Sequence, residues 1–412
     1  MRWDVIVVGA GAAGLMAATR AAERGRRVLL LEKNRRPGVK ILMSGGTRCN
    51  LTHDTDARGI VAAYGPPGRF LHSALAALGP ADLVALIEAE GVPTKVEATG
   101  KVFPVSNRAG DVLDALLRRL ERSGATLALA EPLRELSRET EGWRLVTPQR
   151  VVFAENLVLT TGGQSYPGSG TTGDGFAFAQ QLGHTIVPPR PALVPITVAA
   201  DWIKELRGVT IPDVAVQVLD PERPGKSGVL GAGRGSVLLA HFGLSGPVIL
   251  NVSRWVSGHA NPSRLQLLCD FVPGRSAEQL EDWLRSEAAA AGKKLLATLL
   301  ASELPQRLAA GLLVQAGITA DRRAAELTRS ERSRLVHCLK RLPLGITGTL
   351  GFAKAEVTAG GVALDEVDSR NLQSKLVPHL YLAGEILDLD GPIGGYNFQA
   401  AFSTGWLAGE KV

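Results

Sequence analysis

At 412 residues, with 45% hydrophobic and 21% charged residues, the chain is typical of a soluble globular protein with two or three compact units. The formal charge of +6 comes mostly from arginines scattered along helices, which predicts a solvated basic surface that attracts anionic cofactors and substrates. No basic run is interleaved with aromatic residues, so we expect no nucleic-acid partner.

The first predicted element is a strand, a turn and a helix at the start of the sequence. The apolar stretch 5–8 predicts a buried strand, and the small residues of 12–24 predict a helix that packs closely on it. Between them, Gly9 would turn the chain, Gly11 would let the backbone approach a pyrophosphate, and Gly14 would let the helix contact the sheet. A phosphate at this turn would meet free N–H groups and the positive end of the helix.

A second predicted strand, 27–31, ends at Glu32, about 20 residues past the turn. A carboxylate at this place can accept hydrogen bonds from both ribose hydroxyls and would repel a 2′-phosphate. Strand, turn, helix, strand and acid in this order predict dinucleotide binding. These elements alone leave FAD and NAD both open.

The segment 33–52 continues with small, polar and cationic residues. Such residues suit a loop whose backbone passes close to a ligand, so we expect this loop to face the cofactor. They are Ser44, Gly45, Gly46, Thr47, Arg48 and Asn50. Because a β-branched side chain does not sit easily at positive φ, we expect Thr47 to avoid that conformation.

Further along the chain, alternating apolar segments predict a small antiparallel meander. Its members are 126–129, 143–146 and 151–153. A buried strand then leads to Thr161, Gly162 and Gly163, at the strand end where α/β sheets bind ligands. The glycine-rich segment after it lacks the lysine of a P-loop, which argues against a nucleoside triphosphate site.

Prolines at 188, 189, 191 and 195 mark a boundary, after which strand-like segments and then helices follow. The predicted helices are 276–291, 295–309 and 324–342, the last with the capping-box spacing Thr328-x-x-Glu331. The chain closes with strand-like 352–357, a strand ending at Gly384 and Glu385, a glycine turn at 394–397, and an apolar helix over 398–408. This second strand, turn and helix lacks the G-x-G-x-x-G spacing and therefore has a different expected role.

Cysteine usage and the apolar segments restrict the remaining possibilities. Cys49, Cys269 and Cys338 form no C-x-x-C pair, so we expect neither a metal site nor a disulfide framework. No charged leader precedes the first strand and no apolar run approaches the length of a bilayer, so we expect a cytoplasmic protein without a membrane partner.

Five motifs together resemble the BaiN-like, YhiN-type family of FAD-dependent oxidoreductases over nearly the whole chain. They are Gly9-x-Gly11-x-x-Gly14, Met43-Ser-Gly-Gly-Thr-Arg-Cys-Asn50, Thr161-Gly-Gly-Gln-Ser-Tyr-Pro167, His241-Phe-Gly-Leu-Ser-Gly-Pro247, and Ala383-Gly-Glu with Gly394-Gly-Tyr-Asn397. In the family, three glycines more often precede the Arg-Cys-Asn of the second motif, and here the third of these positions is Thr47.

The resemblance implies an α/β fold: a Rossmann-like FAD-binding domain of the two-dinucleotide-binding-domain type with insertions. The FAD-binding domain would comprise 1–188 and 346–412, a β-rich substrate domain 189–273 with strands near 343–357, and a helical insertion 274–342.

By the same resemblance, Glu385 would bind the ribityl hydroxyls. Asn397 and neighbouring N–H groups would face N1 and the C2 carbonyl of the flavin, where reduction leaves negative charge. The full predicted cofactor set is Gly9, Gly11, Ala12, Ala13, Gly14, Glu32, Lys33, Lys40, Ser44, Gly45, Arg48, Asn50, Thr161, Gly162, Gly163, Gly384, Glu385, Asp390, Gly394, Gly395, Tyr396 and Asn397.

With FAD bound, hydride chemistry belongs to flavin N5, and NAD(P)H would visit transiently because no second fingerprint is visible. His241, Arg48 and Tyr166 are the candidate acids or cations near a small-molecule substrate. The favoured reaction is NAD(P)H-dependent reduction of a conjugated carbon–carbon double bond. The alternatives are an oxygen-using amine oxidase of the aminoacetone oxidase type, and a flavin-containing binding or RNA-associated protein suggested only by the positive charge.

Overall fold

The computed structural model describes residues 2–140, 142–223 and 225–412 and divides the chain into two compact units. The split unit joins Met1–Pro191 to Ala355–Val412, and the inserted unit is Ala192–Lys354. Each unit has a hydrophobic core of its own, built from buried and mostly aliphatic side chains.

The first segment of the split unit contains ten strands and seven α-helices among the described residues. Its strands are β1 (Arg2–Val8), β2 (Val28–Leu31), β3 (Thr52–His53), β4 (Thr94–Val96), β5 (Lys101–Pro104), β6 (Thr126–Ala128), β7 (Glu135–Glu139), β8 (Gly142–Val146), β9 (Val151–Leu159) and β10 (Ile186–Ala192). Its helices are α1 (Ala12–Glu23), α2 (Val39–Thr47), α3 (Ala57–Tyr64), α4 (His72–Ala77), α5 (Pro80–Ala89), α6 (Ala109–Arg122) and α7 (Asp174–Gln181).

The inserted unit has a β part and a helical part. Its strands are β11 (Ile196–Val198), β12 (Thr210–Leu219), β13 (Val229–Ala240), β14 (Gly243–Ser245), β15 (Gln266–Asp270) and β16 (Leu342–Thr349). Its helices are α8 (Asp201–Glu205), α9 (Pro247–Ser257), α10 (Ala277–Ala290), α11 (Leu296–Leu300), α12 (Gln306–Gln315) and α13 (Arg329–Arg341). The chain then returns to the split unit through β17 (Val357–Val362), β18 (Leu380–Leu382) and α14 (Tyr396–Lys411).

A parallel sheet with the strand order β6-β2-β1-β9-β18 forms the centre of the split unit. Its inner strands are almost continuously apolar because helices cover parallel sheets on both faces. The strands are parallel, so their carboxyl ends lie at one edge of the sheet. The residues that follow Val8, Leu31, Leu159 and Leu382 are therefore brought together there. The two ends of the sequence therefore contribute to one edge.

The predicted meander is wrong at its first member. Segment 126–129 is not antiparallel: β6 pairs in parallel with β2, with Thr126 opposite Leu29. The antiparallel ribbon consists instead of β7, β8 and the first half of β9. A short apolar segment satisfies either pairing, so its periodicity could not distinguish them.

Three predicted elements have different bounds. The helix 295–309 is two helices, α11 and α12, with Pro305 between them, since proline cannot continue a helix. The helix 324–342 begins only at Arg329, after Thr328, and the predicted capping box with Glu331 is confirmed. The strand expected at 352–357 lies at Val357–Val362, and residues 352–354 form a turn.

The β part of the inserted unit is a closed antiparallel barrel with the order β11-β14-β13-β12-β15-β16. Helix α9 packs on β13 where glycines recur at every second position. A Cβ on Gly231 would lie 2.3 Å from the Trp255 ring, and one on Gly233 2.9 Å from Val248. The glycines thus make room for the side chains of α9.

Within the described ranges, no single helix has the length and hydropathy needed to cross a membrane, and only the bent pair Pro66–Ala77 with Pro80–Ala89 meets those criteria jointly. The same residues include no group of three or more His, Cys, Asp or Glu side chains placed to hold a metal ion.

Candidate functional site

In the glycine turn between β1 and α1, packing requires glycine at two positions but not at the third. A Cβ on Gly9, whose φ is +100°, would lie 2.7 Å from the Thr160 carbonyl oxygen, and one on Gly14 would lie 1.8 Å from the Gly9 carbonyl oxygen. Gly11 has a φ of −82°, and a Cβ added to it would have no described protein atom within 4 Å. Open space therefore borders Gly11, beside the start of α1 where a pyrophosphate is expected.

Glu32 lies directly beside this turn. Its side chain is buried, and its two carboxylate oxygens each accept a backbone N–H, from Ala10 at 2.8 Å and from Asn34 at 2.8 Å. These bonds fix the carboxylate at the carboxyl end of β2, the position expected to face a ribose.

The end of β9 supplies the third part of the edge. Thr160 Oγ1 donates to the carbonyl oxygens of Val8 and Gly9, at 2.9 and 2.8 Å, and so fastens the turn to β9. The next hydroxyl, Thr161 Oγ1, is buried without a hydrogen-bond partner among the described residues. A Cβ on Gly163 would lie 2.3 Å from Thr358 Oγ1, so only glycine lets β17 approach here.

Glu385 and Lys40 form an ion pair at this edge. Lys40 Nζ lies 2.5 Å from Glu385 Oε2, and Glu385 Oε1 accepts the Thr358 N–H at 2.8 Å. A Cβ on the preceding Gly384 would lie 2.8 Å from the Ala13 Cβ. The turn after β18 therefore contacts the first turn of α1, which brings the two ends of the chain together.

The turn before α14 is packed against β3. Gly395 has a φ of +98°, and a Cβ there would lie 2.4 Å from the Thr52 carbonyl group. His53 Nδ1 lies 3.1 Å from the Gly394 carbonyl oxygen, and the His53 ring stacks on Tyr396 with centroids 4.7 Å apart. The position of the α14 N-terminus is thus determined by packing within the split unit.

The Asn397 side chain closes its own turn. Its Oδ1 accepts the Gly391 N–H at 2.8 Å, and its Nδ2 donates to the Gly391 carbonyl at 3.0 Å. Tyr64 donates to the Tyr396 carbonyl at 3.1 Å; burial raises the pKa of Tyr64 far above its ordinary value, and the charges of Asp390 and Glu385 raise it further. The groups left at this turn for a flavin are the backbone N–H groups at the start of α14.

In the loop 44–50, the expectation that Thr47 avoids positive φ is wrong. Helix α2 is interrupted at 44–46, and Gly45, Gly46 and Thr47 have φ values of +56°, +68° and +68°. Thr47 therefore does adopt the left-handed conformation, and its hydroxyl donates to the Gly46 carbonyl at 2.6 Å. Ser44 Oγ donates to the Ile41 carbonyl at 2.8 Å and stabilises the interruption.

Asn50 connects this loop to the turn before α14. With its amide nitrogen directed at the carbonyls of Val102 and Thr52, at 3.3 and 3.0 Å, its oxygen accepts the Gly395 N–H at 2.9 Å. The loop and the second glycine turn, which are far apart in sequence, are in this way held together by one buried side chain.

Two predicted cofactor-binding cations already have carboxylate partners. Arg48 Nη1 lies 2.6 Å from Glu97 Oε1, and its guanidinium lies 4.0 Å from the Phe103 ring centroid. Lys33 Nζ lies 2.6 Å from Asp174 Oδ2 and 2.6 Å from Thr172 Oγ1. These pairs hold the neighbouring loops in place.

The predicted catalytic residues lie apart in the sequence and in different elements. Tyr166 has a φ of +58°, and its carbonyl accepts the Ser169 N–H at 2.8 Å. No hydrogen bond joins it to Arg48 within the described ranges. His241 belongs to the inserted unit, where it is exposed on the turn between β13 and β14 and contacts Phe242 edge to face at 5.0 Å.

Glu356, which the sequence motifs did not single out, has unusual surroundings. It is exposed directly before β17, and its carboxylate has no hydrogen-bond or ion-pair partner among the residues that the structure describes. Desolvation by the surrounding protein raises its pKa above the ordinary 4.5, and the charges of Lys101 and Lys40 partly oppose this rise. Neighbouring protein atoms thus desolvate a carboxyl group that stays accessible to solvent. An acid directly before the segment Val357–Val362, which contains Gly360 and Gly361, was the available sequence signal.

These features fit FAD. The space beside Gly11 would take the diphosphate, Glu32 would bind the ribose, and the Thr161 hydroxyl and the N-terminus of α14 would offer donors to the rest of the cofactor. A Rossmann-type sheet with these two glycine turns at one edge defines a dinucleotide-binding flavoprotein. Residues 3–411 match the HI0933-like protein Rossmann domain, so the chain belongs to the HI0933-like family of FAD-dependent oxidoreductases, and the predicted resemblance is confirmed.

Full-length relatives have two different names. The chain is 34% identical over 415 residues to the ribosomal RNA dihydrouridine synthase of Escherichia coli K12, an alignment that covers 100% of this chain and 98% of the relative. It is 30% identical over 409 residues to the 3-dehydro-bile acid delta(4,6)-reductase of Clostridium scindens, with 98% of each chain covered. A second ribosomal RNA dihydrouridine synthase, from Haemophilus influenzae, is 31% identical over 413 residues, with 99% of this chain and 98% of the relative covered.

Solved flavoenzymes have the same fold. The Mycobacterium smegmatis Sdh1 complex aligns with a TM-score of 0.51 at 16% identity, and the alignment covers 100% of this chain and 68% of the Sdh1 complex chain. The 3-ketosteroid delta1-dehydrogenase of Sterolibacterium denitrificans aligns with a TM-score of 0.50 at 15% identity, covering 99% of both chains. The Rossmann-like FAD-binding fold is thereby confirmed.

Proposed function

We propose that this FAD-dependent oxidoreductase uses NAD(P)H to reduce a carbon–carbon double bond conjugated to a carbonyl group. The observation that carries the proposal is the similarity, over nearly the full length, to relatives whose two names imply one reaction. Dihydrouridine forms when the C5=C6 bond of uracil, conjugated to the C4 carbonyl, is saturated. A delta(4,6)-reductase acting on a 3-dehydro compound likewise saturates bonds conjugated to a carbonyl.

In this reaction a hydride adds to one carbon of the double bond and a proton to its neighbour. When bound, FAD supplies the hydride at N5 and is reduced again by NAD(P)H. The turn from Gly9 to Gly14 and the positive end of α1 would bind its diphosphate, and Glu32 its ribose. The Lys40–Glu385 pair would bind the ribityl chain.

The negative charge of the reduced flavin would face the N-terminus of α14. N–H groups at a helix start stabilise an anion by about 0.3–1 kcal/mol, and by more where the site is partly buried. Glu356 is the group we assign to proton transfer, because its carboxylate has no partner among the described residues and desolvation raises its pKa above that of a free glutamate. His241 and Tyr166 stay as predicted alternatives for this role.

The substrate that we place first is a uridine in ribosomal RNA. Two of the three full-length relatives described above carry that name, and the chain has a formal charge of +6 that suits a polyanion. The expected absence of a nucleic-acid partner is set aside in this proposal. The second candidate is a small enone, which the bile-acid relative favours, with segment 189–273 acting as the substrate domain in either case.

Anaerobic stopped-flow spectroscopy tests the reaction. We expect NADH or NADPH to bleach the flavin, and an unmodified ribosomal RNA transcript to restore its colour with formation of dihydrouridine, measured by mass spectrometry as a gain of two hydrogens. Reoxidation by a 4,6-dien-3-one steroid but not by RNA would select the small enone. Bleaching by small amines alone would select the amine oxidase and reject the proposal.

A further inference from the structure

The net positive charge of the chain lies in the inserted unit. Residues 192–354 contain 20 basic and 14 acidic residues, whereas the split unit is balanced at 26 of each. The unit that binds the cofactor is therefore neutral overall, and the formal charge of +6 belongs to the insertion. An insertion with this charge is attracted to polyanions independently of the cofactor.

Helix α13 carries this charge on one face. Its exposed residues span an arc of about 140° at 100° per residue and about 18 Å of helix length. They are Arg329, Ser330, Ser333, Arg334, His337 and Arg341. Glu331, the helix's acidic residue, is buried, accepts the Thr328 N–H at 3.0 Å and pairs with Arg322. The exposed face is thus cationic and hydroxylated without a carboxylate.

The arginines of this face lack compensating carboxylates among the residues that the structure describes. Arg329 and Arg341 have no ion-pair partner within those ranges, and Arg334 donates to neutral groups, the Ala316 carbonyl and Ser330 Oγ, each at 3.0 Å. The cations on the other side of α13 are compensated, since Arg332 pairs with Glu281 and Lys340 with Asp270. The uncompensated charge of the helix is therefore confined to the exposed face.

We propose that this face of α13 binds the phosphate backbone of the RNA substrate, an inference that rests on the proposed function. Arginine and serine side chains are the usual donors to phosphate oxygens, and such contacts position a nucleic acid without reading its sequence. The face has no Phe, Tyr or Trp side chain for base stacking, so it holds the backbone and leaves base selection to other residues.

The test compares RNA affinity in two double variants of the holoenzyme. R329Q/R341Q removes two uncompensated charges from α13, and Arg334 is kept because it holds the Ala316 carbonyl. The matched control is R58Q/R69Q, which removes two exposed arginines of the split unit that have no ion-pair partner among the described residues. The probe is a fluorescent, unmodified ribosomal RNA transcript, titrated between about 50 and 300 mM salt, the range over which phosphate contacts weaken.

We expect R329Q/R341Q to bind the transcript about tenfold more weakly at about 0.15 M salt, with the slope of log K against log salt reduced by about 1.5, since each phosphate contact contributes about 0.7–0.9. The control should match the wild type, and both variants should keep their flavin and their rate of flavin reduction by NAD(P)H. The same titration is made with anionic lipid vesicles. If the wild type binds these vesicles as tightly as the transcript, and R329Q/R341Q loses the same affinity for both, RNA as the partner is overturned.

The outcomes separate this inference from the proposed function. Wild-type RNA affinity in R329Q/R341Q overturns the α13 surface even if RNA is reduced. Weakened binding in this variant, with no dihydrouridine formed by the wild type, supports the surface and rejects RNA as the reduced substrate. A wild type that does not bind the transcript at about 50 mM salt, where phosphate contacts are strong, overturns both.

Discussion

Gly11 and Gly14 belong to the same motif but differ in what a methyl group would meet. A Cβ on Gly11 meets no described protein atom, whereas one on Gly14 collides with the Gly9 carbonyl at 1.8 Å. We therefore expect G11A to fold normally and to bind FAD at least about tenfold more weakly, a loss of about 1.4 kcal/mol. G14A should lose stability as well as FAD, because α1 can no longer contact the turn.

Flavin absorbance after gel filtration and the thermal midpoint of the apoprotein measure the two effects separately. A G11A variant that retains full FAD affinity would show that the open space beside Gly11 is not the diphosphate position.

Glu356 gives a prediction about pH. Because desolvation raises its pKa above 4.5, the carboxyl group keeps its proton to higher pH than a free glutamate and can donate it. Substrate reduction should fall as pH rises through this raised pKa, and E356Q should lower kcat about 10²–10⁴-fold and remove that limb of the profile. Flavin reduction by NAD(P)H should be unaffected.

The raised pKa of Glu356 also predicts that the E356Q variant folds well. A raised carboxyl pKa means that ionisation costs the folded state stability above pH 4.5, and the neutral amide avoids this cost. The matched control is E155Q, at an exposed position of β9. An E356Q enzyme with the wild-type pH profile would return the proton-transfer role to His241 or Tyr166.

Burial predicts that the thiols of Cys49 and Cys269 are unreactive. Burial raises the pKa of Cys49 and of Cys269 to about 12, so both stay protonated at neutral pH, and the thiolate is the reactive form. We expect iodoacetamide at about pH 8, close to the pKa of an ordinary thiol, to leave Cys49 and Cys269 unlabelled in the folded protein and to label both in denaturant, as measured by peptide mass spectrometry. Rapid labelling of folded Cys49 would contradict its burial.

Thr47 marks the limit of residue-level prediction. The avoidance of positive φ by β-branched residues is a preference of the isolated residue, and the hydroxyl bond to the Gly46 carbonyl within a run of left-handed residues offsets it here. Glu356 was missed for a related reason, since the absence of a partner among the described residues is a property of the folded surroundings and not of the motif.

Helix α13 depends on its capping box. Thr328 Oγ1 accepts the Glu331 N–H at 3.2 Å, and Glu331 returns to the Thr328 N–H at 3.0 Å. We expect T328A to lower the free energy of unfolding by about 1 kcal/mol. S333A, at an exposed position of the same helix, is the control and should change it by less than about 0.5 kcal/mol in urea denaturation. Equal effects of the two substitutions would reject the capping contribution.

At the level of elements, prediction succeeded where local chemistry determines structure and failed where pairing partners decide. The glycine turn, the acid after β2 and the Thr328 cap are local patterns, and each has the structure expected of it. The parallel pairing of β6 and the closure of the barrel by β11 and β16 are contacts between distant segments, which no short window of sequence encodes.

Each of the two units has its own hydrophobic core, and one edge of the sheet in the split unit is assembled from both ends of the sequence. We expect FAD to slow hydrogen exchange together in segments 9–14, 32–34, 384–385 and 395–399, as measured by mass spectrometry on apoprotein and holoprotein. Protection of the N-terminal segments alone would indicate a bound nucleotide without a flavin ring at α14.

The close packing of α14 on α1 has a consequence for protein synthesis. A Cβ on Gly405 would lie 2.2 Å from the Ala13 carbonyl oxygen, so the last helix fits directly over the first. Because α14 follows α1 late in the sequence, the nascent chain completes this contact only after residues 396–411 have been made. We therefore expect full-affinity FAD binding only after α14 has packed on α1.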